Sequence, residues 1–108
     1  MAKAVYVQKG DNIDFTAAET VGYMDVVPLE DKVGVAMQDI PAGGTGTVAL
    51  TGAYAFPAVT GTALKVGQKV YWDAANGVIT NTATSNTFAG HAITAKAAAG
   101  NTVTVRLG

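Results

Sequence analysis

The 108-residue sequence contains no cysteine and few large side chains. Without cysteine, neither a disulfide nor a thiolate metal site can support the fold. Trp, Tyr and Phe together supply only eight residues, whereas Ala, Gly, Thr and Val make up 61. Because small side chains bury little apolar area each, at about 25 cal/mol per Å², we expect the core to gain support from self-association or docking.

Clusters of charge and long apolar runs are missing as well. Seven Lys and Arg residues stand against eight Asp and Glu, with a formal net charge of −1 and no run of one sign. A nucleic-acid footprint needs clustered cations that displace counterions from phosphates, so the sequence argues against that partner. The opening MAKAVYVQKG lacks a long apolar run, so we expect neither a secretion signal nor a membrane span, and synthesis in a cytoplasm.

What the sequence does contain is a β pattern. Valine and threonine, which favour pleated and half-buried surfaces, recur at short intervals between glycine, asparagine and aspartate. This pattern predicts one all-β domain over residues 1–108, a small barrel or sandwich of about eight to ten short strands joined by Gly-rich turns. The predicted strands cover residues 4–8, 12–17, 24–29, 32–40, 45–58, 69–73, 77–81, 90–96 and 102–107. A Gly-rich loop over residues 41–46 leads into the strand at residues 45–58, and Gly52 is expected to bend that strand.

Residues 88–99, FAGHAITAKAAA, admit two interpretations. Alanine is the best helix former, and about three helical turns would fit. The alternation from His91 to Ala95, with Gly90 in front of it, instead favours a strand over residues 90–96 that turns at residues 98–101.

Three features invite a catalytic or ligand-binding interpretation, and none meets its requirements. AGGTGTV at residues 42–48 lacks the Lys-Ser or Lys-Thr and the following helix of a phosphate loop. His91 is the single histidine, so it has no imidazole partner for a metal or for activating a nucleophile. The carboxylates of the first forty residues lack calcium-loop spacing. We therefore expect no catalytic residue, no cofactor and no metal site.

The best hairpin pattern is GQKVYWDAANGVIT, at residues 67–80. Successive side chains of a strand point to opposite faces, so Val70 and Trp72 share one face and Lys69 and Tyr71 share the other. Two adjacent aromatic residues on opposite faces do not form one binding cage.

The loop of this hairpin, DAANG, has its own chemistry. Asn76-Gly77 accommodates positive φ, and Asp73 is expected to cap the turn through its side chain. The sequence thus predicts a structural hairpin and not a catalytic site.

Three stretches in fixed order carry a family resemblance: VGVAMQDIPAGGTGTVALTGAYAFPA, then ALKVGQKVYWDAANGVIT, then FAGHAITAKAAAGNTVTVRLG. This order resembles a family of small tailed-phage and prophage proteins, the capsid decoration or cement proteins, sometimes labelled as predicted phage recombinases. A recombinase ATPase core requires a phosphate loop and a βαβ sheet, and neither is readable here. The signature of the resemblance is the hairpin, with Gly67, Val70, Tyr71, Trp72, Asp73 and Gly77.

The resemblance implies a non-enzymatic protein that binds the outside of the assembled head and stabilises contacts between major capsid subunits. The implied partners are the major capsid protein and further copies of the chain, as a trimer by family analogy, without nucleic acid or membrane. The implied location is the outer capsid surface of the virion, after synthesis in the host bacterial cytoplasm.

An N-terminal arm over residues 1–15 is the expected capsid contact, since an extended strand can add to a neighbour's sheet edge. The contact residues of this arm would be Ala2, Lys3, Val5 and Tyr6. Two other functions stay open at this point. A carbohydrate-binding or host-attachment module would use an exposed Tyr71 or Trp72 as a stacking platform, and an enzyme would need a carboxylate cluster or a phosphate site.

Overall fold

Residues 2–108 form nine strands in two antiparallel sheets, which confirms the all-β fold that the sequence predicts as a barrel or a sandwich; the arrangement is sandwich-like. The computed structural model describes residues 2–108; Met1, which the expected arm also includes, lies outside the described residues. The strands are β1 (Asn12–Thr16), β2 (Val26–Pro28), β3 (Val33–Ala36), β4 (Thr45–Ala49), β5 (Ala53–Pro57), β6 (Lys69–Asp73), β7 (Val78–Thr80), β8 (Thr87–Ala92) and β9 (Thr102–Leu107).

The first four strands form one sheet, in the order β1-β4-β3-β2. Alternation along these strands decides which side chains share a face. Ile13 lies opposite Val48, and Val48 lies opposite Ala36, so these apolar side chains point the same way. They contribute to an apolar cluster on one face of this sheet, which Ile40 completes.

The remaining strands form a second sheet, in the order β5-β9-β8-β6-β7. A parallel bridge between Ala58, just after β5, and Ile79 on β7 joins the two edges of this sheet, so the sheet curls. The last strand, β9, has the alternating pattern that favours a half-buried strand. Val103, Val105 and Leu107 are buried, and they alternate with exposed or half-buried polar residues.

The main core lies between the two sheets. Val33 and Val35 of β3 reach into it from the four-stranded sheet, opposite a larger set from the other sheet. The other sheet supplies Phe56, Val70, Ile79, Ala89, Ala92, Val103, Val105 and Leu107, together with Ala58 and Leu64 from adjoining loops. Most of these side chains are those of valine and alanine, as the composition predicts.

The strand predicted at residues 4–8 is wrong. Residues 2–10 form no regular structure and are exposed throughout. Regular structure begins with β1, at Asn12. Alternation sets which side chains share a face, but a strand also needs a hydrogen-bonding partner, and this segment has none within residues 2–108. The expected arm over residues 1–15 therefore loses residues 12–15 to the sheet.

Other boundaries differ from the predictions as well: β2 and β3 are shorter than predicted, and the strand predicted over residues 45–58 is divided into β4 and β5, which lie in different sheets. Residues 45–46, expected in a loop, begin β4 because they pair with Phe15 and Thr16 of β1. The strand predicted over residues 90–96 starts earlier and ends at Ala92, and Lys96 makes only an isolated bridge to Leu64. The choice of strand over helix in this segment is confirmed.

Candidate functional site

Asp73 closes the turn between β6 and β7. Its carboxylate accepts hydrogen bonds from the backbone N–H groups of Ala75 at 3.1 Å and Asn76 at 3.2 Å, and from the Asn76 side-chain amide at 2.8 Å. Gly77, with a φ of 66°, donates its N–H to the Asp73 carbonyl at 2.8 Å. The predicted side-chain cap is confirmed.

This cap lowers the pKa of the Asp73 carboxyl below its ordinary value. The hydrogen bond from the Asn76 side chain is the largest cause; desolvation acts in the opposite direction, and the backbone N–H groups of Asn76 and Ala75 lower the pKa further. Hydrogen bonds to the ionised form favour that form. Asp73 is therefore held as a carboxylate by the turn it caps.

Trp72 and Tyr71 lie on opposite faces of β6, as the alternation predicts. Val70 is fully buried, and Trp72 is half-buried against the same core, with its ring 6.2 Å from that of Phe56. Tyr71 lies on the other face, where its ring meets that of Phe88 edge-on at 5.8 Å. Both side chains are half-buried, whereas the carbohydrate-binding alternative depends on an exposed ring.

An extra residue in β8 builds an aromatic cluster that the sequence analysis missed. The register of β6 against β8 skips Ala89, which is the additional residue of a β-bulge. Because of this bulge, Phe88 and His91 lie on one face although they are three residues apart, with ring centroids 5.8 Å apart. The signal in the sequence was Gly90, since an isolated glycine inside a strand pattern often marks a bulge.

Gly90 is required by its surroundings. Its φ of 153° is one that residues with a side chain rarely adopt. A Cβ atom at this position would also collide with the carbonyl oxygen of Arg106 on β9. The close approach of β8 and β9 thus depends on glycine.

Beside the aromatic cluster, a row of basic residues crosses three neighbouring strands. Lys69 of β6 lies opposite His91 of β8, and His91 lies opposite Arg106 of β9. Strands are about 4.8 Å apart, so the backbones of Lys69 and Arg106 are about 10 Å apart. Both side chains are exposed, and the ion pairs among residues 2–108 comprise Lys9–Asp11 alone. Lys69, Tyr71, Phe88, His91 and Arg106 are together called the basic-aromatic face below.

The expected contact residues Ala2, Lys3, Val5 and Tyr6 lie in the exposed segment of residues 2–10, called the arm below. Val5 is 85% exposed and Tyr6 is 77% exposed. The hydrogen bond from Gln8 Nε2 to the Asn12 carbonyl, at 3.4 Å, only joins the arm to the first residue of β1. The structure does not bring the arm residues together with the signature hairpin into one site.

Metal ligands do not cluster in the described part of the chain: within residues 2–108, no three His, Asp or Glu side chains lie close enough together to hold one ion. The same residues contain no helix that is long and apolar enough to cross a membrane.

Comparison with known proteins points to one family. A family model described as phage cement protein matches residues 7–107, which is nearly the whole chain. No curated protein and no solved structure matches the chain. The matched region includes both sheets, the signature hairpin and the basic-aromatic face.

Proposed function

The chain belongs to the phage cement protein family, and from this membership we propose that it binds the outside of an assembled phage head and stabilises contacts between major capsid subunits. The match over residues 7–107 is the observation that carries the proposal. Membership implies a place on the virion capsid. The outer surface as its position, and the host bacterial cytoplasm as its place of synthesis, are parts of the proposal.

The shape of the molecule supports this role. The described residues span 43 × 40 × 23 Å, so the protein is flattened and covers a wide area for its mass. A cement protein acts through contact area and needs no catalytic group. We propose accordingly that the protein is not an enzyme and that residues 1–108 act as one domain.

The arm is the proposed contact with the capsid. Val5, Tyr6 and Val7 are 85%, 77% and 86% exposed, and they lie in a segment that has no partner strand within residues 2–108. Such a segment can add to the edge of a neighbouring sheet, where backbone hydrogen bonds supply affinity and alternate side chains supply specificity. Ala2 and Lys3 precede these residues and extend the contact.

Self-association, as a trimer by family analogy, is the second part of the proposal. A symmetric oligomer presents several arms to a lattice that repeats the same binding site. Once one arm is bound, the next binds from a high effective concentration, so modest single contacts give strong attachment.

Co-sedimentation with expanded, undecorated heads tests the proposal. We expect the full chain to pellet with intact heads up to a fixed ratio to the major capsid protein, and a chain without residues 2–10 to remain largely in the supernatant. Substituting Lys65→Ala, in an exposed side chain outside the arm, is the control and should leave pelleting unchanged. If the full chain stays in the supernatant at low and high salt while the heads remain intact, the proposed binding is wrong.

A further inference from the structure

The near-neutral net charge conceals a separation of charge between the two sheets. Residues 11–52, which contain the four-stranded sheet, carry one lysine and seven carboxylates, a formal charge of −6. Residues 53–108, which contain the five-stranded sheet, carry four cations and one carboxylate, a formal charge of +3. Chain order alone therefore makes one side of the sandwich acidic and the other basic.

On the basic side, the exposed charge concentrates on the basic-aromatic face. Lys96 is buried and donates to the carbonyls of Ala97 and Gly100, and the one carboxylate of this sheet, Asp73, caps its turn. Lys69 and Arg106 flank His91 beside the half-buried rings of Tyr71 and Phe88. By alternation along β6, Asp73 lies on the same side as Lys69 and Tyr71, but its carboxylate is engaged by the turn. A surface that combines cations with aromatic edges fits a partner that is both acidic and apolar.

On the acidic side, the loop before β2 presents a surface that is both acidic and apolar. Tyr23 is 63% exposed and Met24 is 45% exposed. The Asp39 carboxylate accepts the Tyr23 N–H at 2.8 Å, and the Asp25 carboxylate accepts the Gly22 N–H at 2.8 Å. Tyr23 and Met24, with the carboxylates of Asp25 and Asp39, are called the Tyr23 tip below.

The Tyr23 tip is held rigidly by the neighbouring sheet. Met24 donates its N–H to the Ala36 carbonyl at 2.8 Å, and Ala36 donates to the Asp25 carbonyl at 3.0 Å. Met24 has a φ of 71°, in the left-handed region that residues with a side chain seldom adopt. A backbone that is already fixed loses little conformational freedom on binding, so the ordering cost falls on the side chains alone.

An open groove of about 370 Å³ adjoins the Tyr23 tip and extends this surface. Phe15, Val21 and Pro28 give it apolar walls, and Glu19 and Asp25 add negative charge. The acidic side therefore offers apolar area and carboxylates together, which is the complement of the basic-aromatic face.

We propose that the basic-aromatic face of one copy docks onto the Tyr23 tip of a second copy. Carboxylates of the tip meet Lys69 and Arg106, while Tyr23 and Met24 pack against Tyr71 and Phe88. The two surfaces lie in different sheets, and in the proposed contact each copy uses them on two different neighbours, head-to-tail. Such a contact closes into a ring when its rotation allows. The inference rests on the self-association proposed above and names its surfaces.

Charge reversal on one surface and truncation on the other test the contact by sedimentation velocity. Lys69→Glu with Arg106→Glu places like charges together, and we expect the dissociation constant of self-association to rise at least about 100-fold. Tyr23→Ala removes the central apolar side chain, and we expect a rise of about 30-fold. Lys65→Glu, which reverses a single charge at an exposed position outside the face, should leave the constant within about twofold. Raising the salt concentration should weaken the wild-type contact.

Mixing the two defective proteins distinguishes head-to-tail contact from other arrangements. The charge-reversed protein keeps its Tyr23 tip, and the Tyr23→Ala protein keeps its basic-aromatic face. Each alone should be monomeric, and an equal mixture should form a 1:1 heterodimer that grows no further.

Several results would overturn the inference: a monomeric wild-type protein, variants that associate as the wild type does, or an equal mixture that stays monomeric. If removal of residues 2–10 abolishes self-association while both surface variants associate normally, the contact between copies is made by the arm and not by the two surfaces. Binding to heads is measured separately, by co-sedimentation. A variant that is monomeric yet still pellets with heads supports the inference and leaves the proposed function intact, whereas self-association without head binding contradicts the proposed function alone.

Discussion

At the scale of single residues, Gly90 has the tightest surroundings. We expect Gly90→Ala to lower the free energy of unfolding by about 3 kcal/mol or more, because the added methyl group meets the Arg106 carbonyl and forces β8 away from β9. Gly43→Ala is a matched control: Gly43 has a φ of 80°, but a Cβ there meets no atom within 4 Å. Backbone strain alone should then cost about 1–2 kcal/mol.

Urea denaturation of the two alanine variants measures this difference. Equal losses of stability would mean that strain at positive φ, and not the collision with β9, determines the cost at position 90. The aromatic cluster gives a second readout, since displacement of β8 should also change the near-ultraviolet circular dichroism of Tyr71 and Phe88.

Asp73 gives a prediction about pH. Its folded-state pKa is lowered, so its ionised form stabilises the fold; this contribution is complete above the unfolded pKa of about 3.9 and is lost as the pH falls through the lower folded value. We expect Asp73→Asn, which keeps an acceptor oxygen but removes the charge, to be less stable than the wild type at neutral pH. The difference should shrink below about pH 4.

Unfolding curves at a series of pH values check this prediction, with Asp31→Asn as the control for loss of an exposed carboxylate outside the turn. A stability difference for Asp73→Asn that stays constant from neutral to acid pH would contradict the role assigned to the ionised cap.

At the scale of elements, strand alternation could be predicted where pairing is regular. Val70 and Trp72 face the core and Tyr71 faces outward because side chains alternate strictly along β6. Phe88 and His91 could not be placed in this way, because three residues separate them and strict alternation puts them on opposite faces. The bulge reverses that outcome, and a bulge depends on how two strands pair, which local sequence does not specify.

The arm shows the opposite limit. Its residues Val5, Tyr6 and Val7 are of the types that favour strands, yet it forms no strand, because nothing within residues 2–108 pairs with it. We expect removal of residues 2–10 to change the free energy of unfolding by no more than about 0.5 kcal/mol, since these residues are exposed and bury no core. Thermal unfolding of the shortened chain measures this; a fall in Tm of many degrees would show that the arm supports the monomer.

At the scale of the whole molecule, residue order carries information that total composition conceals. A net charge of −1 gives no indication of a partner, whereas the fold separates an acidic segment, residues 11–52 with the four-stranded sheet, from a basic segment, residues 53–108 with the five-stranded sheet. The fold class could be predicted because valine, threonine and glycine recur along the entire chain. The alignment of Lys69, His91 and Arg106 across the sheet could not be predicted, because these residues come from three strands that become neighbours only through the sheet order.

The head itself provides the most direct test of the proposed cementing role. Light scattering measures the temperature at which expanded, undecorated heads come apart, alone and with increasing amounts of the protein. A ligand that binds only the assembled state raises its stability by mass action, so we expect this temperature to rise and then level off once the binding sites are filled. Heads that come apart at the same temperature with and without saturating protein would contradict the role.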